Sequence, residues 1–459
     1  MKKEELIKLS YPTKNLAKKG EINVGTVLYG NKKKYSYHIR LQDLARHMFI
    51  TGITGSGKSN FFQNFLINYT KKYTTPFLLA EFKGEYHYLQ KKIPNLLVFI
   101  VGKNFAINIF DPEGQDSEVH AERVFQIFRS GGLFEGVEYT PQMERVFTDI
   151  LKRVCDDPVK RNWKAFYEDS EKYYEEIYAE TRDPTFKSSV TAVTNRIRRY
   201  SLGTLKHSFE TKMGLDVKEI FKHNILLDVS GIIKIGGEKE DTLFFLNMLF
   251  KYLWDINIEM GSKEYKGIRH ITIIEDAQYF ASQSTTQRST ISSYIEDIAL
   301  LLRGTGECLI SLATRPAVSP EILANCGILV SFQNHMQKDY LQDLLNFEDK
   351  ERKFLSLLGV GKCMIRVNSI GKPFALKVPF IKREWLAEEE IEQNNKKILD
   401  RIQNRTSQEN IIEIVDHEPE KPETQNITED TGKYCHFCGN EIIGDLIRCD
   451  VCNTIINRI

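Results

Sequence analysis

The stretch Gly52-Ile-Thr-Gly-Ser-Gly-Lys-Ser59 decides the fold of this chain. It matches G-x-x-x-x-G-K-[ST], the phosphate-binding P-loop. A short apolar run at 47–51 precedes it, and residues 60–68 carry apolar positions at helical spacing, which predicts a strand, a loop and a helix. The glycines let backbone N–H groups turn toward phosphate oxygens, and the helix N-terminus adds a favourable dipole. The stretch therefore predicts an ATP site.

The predicted nucleotide ligands all lie in this stretch or directly after it. Lys58 is expected to reach the β- and γ-phosphates, and Ser59 is expected to bind Mg²⁺. The complete set of predicted nucleotide-binding residues is Gly52, Thr54, Gly55, Ser56, Gly57, Lys58, Ser59 and Asn60.

Hydrolysis of a bound nucleotide needs carboxylates, and the segment 270–277 supplies two of them. Apolar and β-branched residues end there in Glu275 and Asp276, which predicts a strand whose acids lie at the carboxyl edge of the sheet. Glu275 is expected to hold magnesium through water, and Asp276 to orient the attacking water. Glu85, which follows another predicted strand, is a rival for the base. A strand that simply ends in solvated acids is the ordinary alternative.

Arginines that neutralise the transferring phosphoryl group are the next candidates. Arg303 lies between the acid strand and the next predicted strand, and Arg315 follows that strand. Either can act in cis or from a neighbouring subunit. For each arginine alone, a structural salt bridge explains its presence equally well.

Apolar runs alternate with helical patterns along most of the chain, which predicts an α/β fold around a mostly parallel sheet. The pattern is helical from about 117 to 217, which we interpret as an insertion. Near the N-terminus, Lys32-Lys-Lys34 is predicted to lie in a turn after a possible strand. The predicted strands are 24–29, 76–81, 96–101, 224–230, 270–275, 308–313 and 327–332, with a final hairpin of 362–367 and 373–378.

Composition limits the classes of partner and location. The 459 residues carry a net charge of +1, so a nucleic-acid site must be a local patch. No apolar run approaches the roughly 20 residues that span a bilayer, and the N-terminus lacks a signal-peptide core. We therefore expect no membrane anchor and a cytoplasmic location. Four scattered cysteines in apolar surroundings suit a reducing compartment. They are Cys155, Cys308, Cys326 and Cys363.

Taken together, these stretches resemble the HerA/FtsK superfamily of ring-forming translocases and, within it, the HerA-like ATPases. The resemblance covers roughly residues 20–380. It implies a RecA-like core, a hexameric ring, magnesium-dependent ATP hydrolysis between subunits, and duplex DNA in the pore. It also favours Arg303 as the arginine that acts in trans. The matching stretches are 47–59, Glu81-Phe-Lys-Gly-Glu-Tyr86, Asn108-Ile-Phe-Asp-Pro112, Ile274-Glu-Asp-Ala-Gln278, Arg303-Gly-Thr-Gly306 and 313–320.

The sequence departs from the family pattern in four places. Asp276 stands where the family usually has Glu, which sets its carboxylate back by one methylene, and such a misplacement can cost about 100-fold in rate. Gln278 stands where His is frequent. Thr314 stands where Gln is frequent, so nucleotide sensing is expected to differ. The N-terminal barrel is reduced to residues 1–40.

The C-terminal cysteines form a separate motif. Cys435-x-x-Cys438 and Cys449-x-x-Cys452 have the spacing of a zinc ribbon. Four thiolates leave no open coordination position, so the expected zinc is structural rather than catalytic. A redox-active cysteine pair is not expected, because a single Cys-x-x-Cys motif would suffice for it. The ribbon is expected to dock DNA or a protein partner.

The predicted organisation is a basic N-terminal segment 1–40, a RecA-like ATPase core 41–385, an acidic linker 386–432 whose first part can be helical, and a zinc ribbon 433–459. The favoured function is a motor that translocates or remodels double-stranded DNA with a partner nuclease or effector. One alternative is an ATPase scaffold that regulates an effector in a bacterial antiphage complex. The other is a conjugation or secretion coupling ATPase.

Overall fold

The computed structural model describes residues 10–130, 140–261, 267–279, 293–349 and 351–415. Its strands form a single mixed sheet in the order β2-β1-β11-β10-β9-β3-β8-β7-β4-β6-β5. The strands are β1 Ile22–Tyr29, β2 Lys32–Ile39, β3 Met48–Thr51, β4 Phe77–Glu81, β5 Leu96–Ile100, β6 Asn224–Asp228, β7 His270–Ile274, β8 Glu307–Ala313, β9 Ile328–Ser331, β10 Lys362–Val367 and β11 Phe374–Lys377.

Helices connect and cover these strands. The longest helices lie between β5 and β7 and at the C-terminal end of the described chain. The helices are α1 Lys14–Ala17, α2 Leu41–Leu44, α3 Lys58–Thr70, α4 Ser117–Ser130, α5 Pro141–Asp156, α6 Trp163–Thr181, α7 Thr185–Ile197, α8 Leu205–Glu210, α9 Val217–Ile220, α10 Ser230–Lys234, α11 Lys239–Met260, α12 Ser293–Leu300, α13 Pro320–Ala324, α14 Lys338–Leu345, α15 Phe354–Leu357 and α16 Glu388–Val415.

The half of the sheet from β9 to β5 is parallel. β3 lies between β8 and β9, and β4 lies between β6 and β7, with every one of these pairs parallel. Strands β3, β4, β5, β7, β8 and β9 are buried along their whole length. Burial on both faces explains their near-continuous apolar sequences. The predicted mostly parallel α/β sheet is therefore confirmed.

The other half of the sheet is antiparallel. β10 and β11 form the predicted hairpin, and β11 continues the sheet to β1 and β2. The prediction that Lys32-Lys-Lys34 lies in a turn is wrong, because these lysines begin β2. Gly30, at φ +58°, makes the turn instead. Exposed lysines on an edge strand discourage pairing with another sheet, which explains their position.

The segment between β5 and β6 is helical, as its sequence pattern predicts, and contains α4 to α9. After β6, α11 is buried along most of its length and includes the apolar run 243–254. This helix is an internal packing element of the domain. In the described part of the chain, no helix combines the length and apolarity needed to cross a membrane.

The chain divides into two compact units, residues 1–400 and residues 401–459. The sheet and the helices α1 to α15 belong to the first unit. Helix α16 occupies the first part of the predicted linker, and residues 416–432 lie outside the described residues. The zinc-ribbon cysteines Cys435, Cys438, Cys449 and Cys452 also lie outside them.

Candidate active site

The P-loop connects β3 to α3, as its sequence predicts. Gly52 and Gly57 adopt φ values of +150° and +117°, a backbone region that residues other than glycine rarely adopt. A Cβ on Gly52 would lie 2.5 Å from the Cβ of Phe332, and a Cβ on Gly57 would lie 3.0 Å from the Cα of Gly361. These two glycines are therefore required by both backbone conformation and close packing.

Lys58 points back across the P-loop. Its Nζ donates to the carbonyl oxygens of Gly52, at 2.5 Å, and Ile53, at 3.1 Å. Burial lowers the pKa of Lys58, while the nearby carboxylates of Asp276 and Glu275 act in the opposite direction. A partly desolvated ammonium beside backbone N–H groups is well placed to bind phosphate oxygens.

A cleft of about 300 Å³ opens beside this lysine, a volume near the lower end of ordinary ligand pockets. It brings together six of the eight predicted nucleotide ligands. Gly52 and Ser56 do not line it. The lining residues are Thr54, Gly55, Gly57, Lys58, Ser59, Asn60, Lys83, Glu85, Glu275, Asp276, Leu312, Ala313, Thr314 and Arg383.

Glu275 lies at the carboxyl end of β7, on the wall of the cleft. Its Oε1 accepts a hydrogen bond from the Tyr86 hydroxyl at 3.0 Å. Its Oε2 is buried and has no hydrogen-bond partner among the described residues. Burial raises the pKa of Glu275 to about 7, with Lys83 opposing and Asp276 reinforcing the shift. An unpartnered buried oxygen of this kind suits a cation-bound water.

Asp276 follows Glu275 in a strained conformation. Its φ of +50° is uncommon for a residue other than glycine, and such strain is often found at functional sites. Its Oδ2 forms a 2.9 Å ion pair with Lys83. Gln278 donates to its Oδ1 at 3.1 Å and accepts a hydrogen bond from the backbone N–H of Thr314 at 3.2 Å. The carboxylate is therefore held from two sides.

The structure fits the magnesium predicted from the sequence. Ser59 and Glu275 both line the cleft, and the unpartnered Glu275 Oε2 is the kind of hard oxygen ligand that Mg²⁺ prefers. No group of three or more His, Cys, Asp and Glu side chains within the described ranges is arranged to hold a metal by itself.

A second pair of acids occupies the neighbouring strand ends. Glu81 ends β4 and accepts backbone hydrogen bonds from Glu85 at 2.9 Å and Tyr86 at 3.3 Å. Burial, reinforced by Asp228, raises the pKa of Glu81 to about 8. Neither acid lines the cleft.

Asp228 ends β6 and is fully enclosed. It accepts hydrogen bonds from the backbone N–H of Ser230 at 2.9 Å and from its hydroxyl at 2.5 Å, and it lies 3.1 Å from the Nε2 of His87. Although burial acts in the raising direction, the hydrogen bonds from His87 and Ser230 lower the pKa of Asp228. These contacts indicate a structural role.

Glu85 lies inside the cleft, as a rival base should. Its Oε2 forms a 2.8 Å ion pair with Nη1 of Arg383, a residue from the segment that follows the last strand. Both side chains remain partly exposed.

The two predicted arginines lie outside the cleft of their own chain. Arg303 is exposed in the 3₁₀ turn Leu302–Thr305 and precedes β8, at the opposite edge of the sheet from the P-loop. Arg315 is exposed and follows Thr314, but it does not line the cleft. The geometry therefore gives no support to a role in cis for Arg303.

Sequence reasoning missed several residues that the structure places at the site. Lys83 and Tyr86 belong to the stretch Glu81-Phe-Lys-Gly-Glu-Tyr86 that carries part of the family resemblance, so a signal for them is present in the sequence. For Gln278 and Thr314, the signal is their departure from the family pattern. Arg383 had no signal, because an arginine in an ordinary charged segment predicts nothing.

Comparison with known proteins supports this description. Residues 22–240 match the family model described as the central domain of the helicase HerA. A comparison of the sequence with curated proteins found no match.

Solved structures share the fold. VirB4 of Thermoanaerobacter pseudethanolicus is similar, with 15% identity and a TM-score of 0.58 over 81% of this chain and 98% of that one. The plasmid coupling protein TrwB in complex with ADP and Mg²⁺ has 10% identity and a TM-score of 0.55 over 81% of this chain and 92% of that one. The RecA-like P-loop ATPase core expected from the sequence is thus confirmed.

Proposed function

We propose, from the membership of residues 22–240 in the HerA central-domain family, that this P-loop ATPase is a ring-forming motor that translocates or remodels double-stranded DNA. The observation that carries the proposal is the meeting of Lys58, Ser59, Glu275 and Asp276 in one cleft. The family match supplies the link to DNA. A partner nuclease or effector completes the proposed assembly.

Four of the residues that line the cleft have a proposed role in hydrolysis, and Tyr86 supports one of them. Lys58 binds the β- and γ-phosphates. Ser59, together with Glu275 acting through water, would hold magnesium, which would supply neutralising charge for those phosphates. Tyr86 fixes the other oxygen of Glu275. Asp276 orients the attacking water and takes its proton.

Gln278 and Lys83 hold Asp276 in its strained conformation. Because Asp is shorter than Glu, this support limits the motion of a carboxylate that is set back by one methylene.

The position of Arg303 supports a ring. This exposed arginine lies at the opposite sheet edge from the P-loop, and its neighbours Leu300 and Leu301 are exposed apolar residues. A subunit placed head-to-tail would bring Arg303 against the cleft of the next subunit, where it stabilises the transferring phosphoryl group.

The test of the proposed function is the ATPase rate of a sized oligomer with and without duplex DNA. We expect stimulation by DNA in the wild-type protein and a loss of about 100- to 1000-fold in the hydrolysis rate of Lys58→Ala under either condition. Wild-type hydrolysis that DNA leaves unchanged would contradict the motor and favour an ATPase scaffold that regulates an effector.

The ring is tested by mixing two inactive variants. Arg303→Ala should bind nucleotide but lose about 1000-fold in rate, as expected for an arginine finger. Rings mixed with Lys58→Ala can contain one intact interface and should regain activity. Absence of recovery in rings verified as mixed counts against the role of Arg303 in trans.

The zinc ribbon is proposed from its four cysteines alone. Four thiolates around zinc supply most of the folding free energy of so small a module. Cys435→Ser should release zinc while basal ATPase survives, and engagement of DNA or of a protein partner should weaken. Loss of basal ATPase together with dissociation of the oligomer would show instead that this module belongs to the ring.

A further inference from the structure

The segment 379–387, here called the strap, crosses the cleft after the last strand. It contains no helix or strand and connects β11 to α16. Leu386 is buried in the core, whereas Phe380 and Trp385 are more than 80% exposed. A segment that exposes two large aromatic residues is not held in place by apolar burial alone, so its polar contacts matter.

The strap is bound to both walls of the cleft. On the P-loop side, the backbone N–H of Ile381 donates to the side-chain oxygen of Asn60 at 3.2 Å. On the β4 side, Lys92 donates to the carbonyl oxygen of Lys382 at 3.0 Å, and Arg383 pairs with Glu85 at 2.8 Å. The strap therefore places Arg383 on the wall that carries Glu85 and Lys83.

A structural salt bridge is a weak explanation for this arginine. The side chains of Arg383 and Glu85 are 46% and 38% exposed, and ion pairs at such exposure contribute little to stability because solvent screens them. The pair is therefore easily exchanged for another partner.

The charge of the cleft favours a phosphate as that partner. Its lining carries the cations Lys58, Lys83 and Arg383 and the acidic side chains Glu85, Glu275 and Asp276. Removing Arg383 would take away one of these three cations and would make the lining less favourable for a polyphosphate. A guanidinium presents a planar pair of donors that matches two phosphate oxygens, which a single carboxylate at one nitrogen does not fully use.

We propose that Arg383 is a further nucleotide-binding residue, which exchanges the carboxylate of Glu85 for the terminal phosphate of ATP. The inference rests on the proposed function, since it presupposes that the cleft binds ATP. The terminal phosphate is the proposed partner because Arg383 pairs with Glu85, which is two residues from Lys83. Lys83 in turn pairs with Asp276, the residue proposed to orient the water that attacks this phosphate. The exchange also frees the Glu85 carboxylate inside the cleft, so the state of the strap reports whether a triphosphate is bound.

The experiment measures the affinity of the full-length protein for a fluorescent non-hydrolysable ATP analogue and for fluorescent ADP. Arg383→Ala should weaken binding of the ATP analogue about 10- to 100-fold, as expected for loss of a charge-assisted hydrogen bond. Binding of ADP should change by less than about twofold, because ADP lacks the terminal phosphate. Lys382→Ala is the matched control, since it removes a neighbouring cation that does not line the cleft, and it should bind both ligands as the wild type does.

The competing carboxylate gives a second readout. Glu85→Gln removes the partner that Arg383 must leave, so it should tighten binding of the ATP analogue. This gain should be clearly smaller when Arg383 is already alanine. An equal gain in both backgrounds contradicts the exchange.

Other outcomes separate the inference from the proposed function. Equal weakening for ATP analogue and ADP in Arg383→Ala would show that the arginine only holds the strap, and unchanged binding of both would remove it from the site. If Arg383→Ala lowers the melting temperature, Arg383→Met retains the aliphatic packing and decides the question by the same comparison. In Lys58→Ala, binding of both nucleotides should be lost. Wild-type binding in that variant would contradict the ATP site itself.

Discussion

Glu81 and Asp228 end strands β4 and β6, and Glu275 and Asp276 follow β7 at the same edge of the sheet. The oxygens of the first pair receive hydrogen bonds from backbone N–H groups, Ser230 and His87. In the second pair, one oxygen of Glu275 is buried without a partner in the described chain, and both Glu275 and Asp276 line the cleft. Acids of the same type thus end neighbouring strands in different surroundings, and the different roles that we propose for them rest on what already occupies their oxygens.

The largest expected effect comes from the cation that faces the second pair. Lys58→Ala should reduce ATP hydrolysis by about 100- to 1000-fold, the range for removing one preorganised charge-stabilising donor. Its protein partners are two carbonyl oxygens of the P-loop, so the melting temperature should change little. Phosphate release and thermal unfolding measure the two effects. Near-normal turnover would remove the P-loop from the mechanism.

The two acid pairs should also differ in how the free energy of unfolding depends on pH. The pKa of Glu275 is raised to about 7 in the fold, so the folded state binds more protons than the unfolded state, and stability falls as pH rises from about 4.5 to 7. Glu275→Gln carries no charge and should increase the free energy of unfolding by about 1–3 kcal/mol at pH 8.

That gain should shrink toward zero as pH falls from 7 to 4, and denaturant unfolding without magnesium measures it. Glu85→Gln removes a partly exposed carboxylate and is the control, with an expected change below about 0.5 kcal/mol. A gain for Glu275→Gln that is equal at pH 4 and pH 8 would show that the buried charge is not its cause.

Asp228→Asn tests the structural pair. It should reduce the free energy of unfolding by about 1–3 kcal/mol at pH 7, because it removes a buried, hydrogen-bonded carboxylate. The pKa of Asp228 is lowered in the fold, so its contribution is present above about pH 4 and disappears as pH falls below that value. The variant should therefore approach wild-type stability in acid. A loss that is the same at pH 3 and pH 7 points to packing instead.

A smaller effect is expected at the support of Asp276. Gln278→Ala should reduce the hydrolysis rate about tenfold, since small losses of orientation are costly in a catalytic group. Thr314→Val is the matched comparison, because it retains the backbone N–H that donates to Gln278, so its loss of rate should be smaller than that of Gln278→Ala. The measurement is the steady-state hydrolysis rate of both variants at saturating nucleotide. Equal losses in both variants would mean that the end of β8, rather than the amide, supports the site.

The P-loop, the parallel strands and the positions of Glu275 and Asp276 at a strand end could be predicted from the sequence. These features are local and follow from short apolar runs and glycines. The sequence did not show why Glu275 lines the cleft and Glu81 does not, since both are acids at the end of a buried strand. Their roles depend on long-range partners, including the Tyr86 hydroxyl on Glu275, which is 189 residues away in sequence. The position of Arg383 at the cleft depends on its contact with Glu85, which is 298 residues away in sequence, so the sequence alone could not predict it.

We propose that Glu275 and Asp276 act on the nucleotide and that Glu81 and Asp228, whose oxygens already accept hydrogen bonds, maintain the fold. The most direct test is single-turnover ATP hydrolysis by Asp276→Asn, Asp228→Asn and Glu85→Gln, at saturating magnesium-ATP and a temperature where all three are folded. Asp276→Asn should bind ATP and lose about 100-fold or more in rate, while Asp228→Asn should stay within about threefold of wild type. A normal rate in Asp276→Asn with a stalled Glu85→Gln or Asp228→Asn would contradict the account.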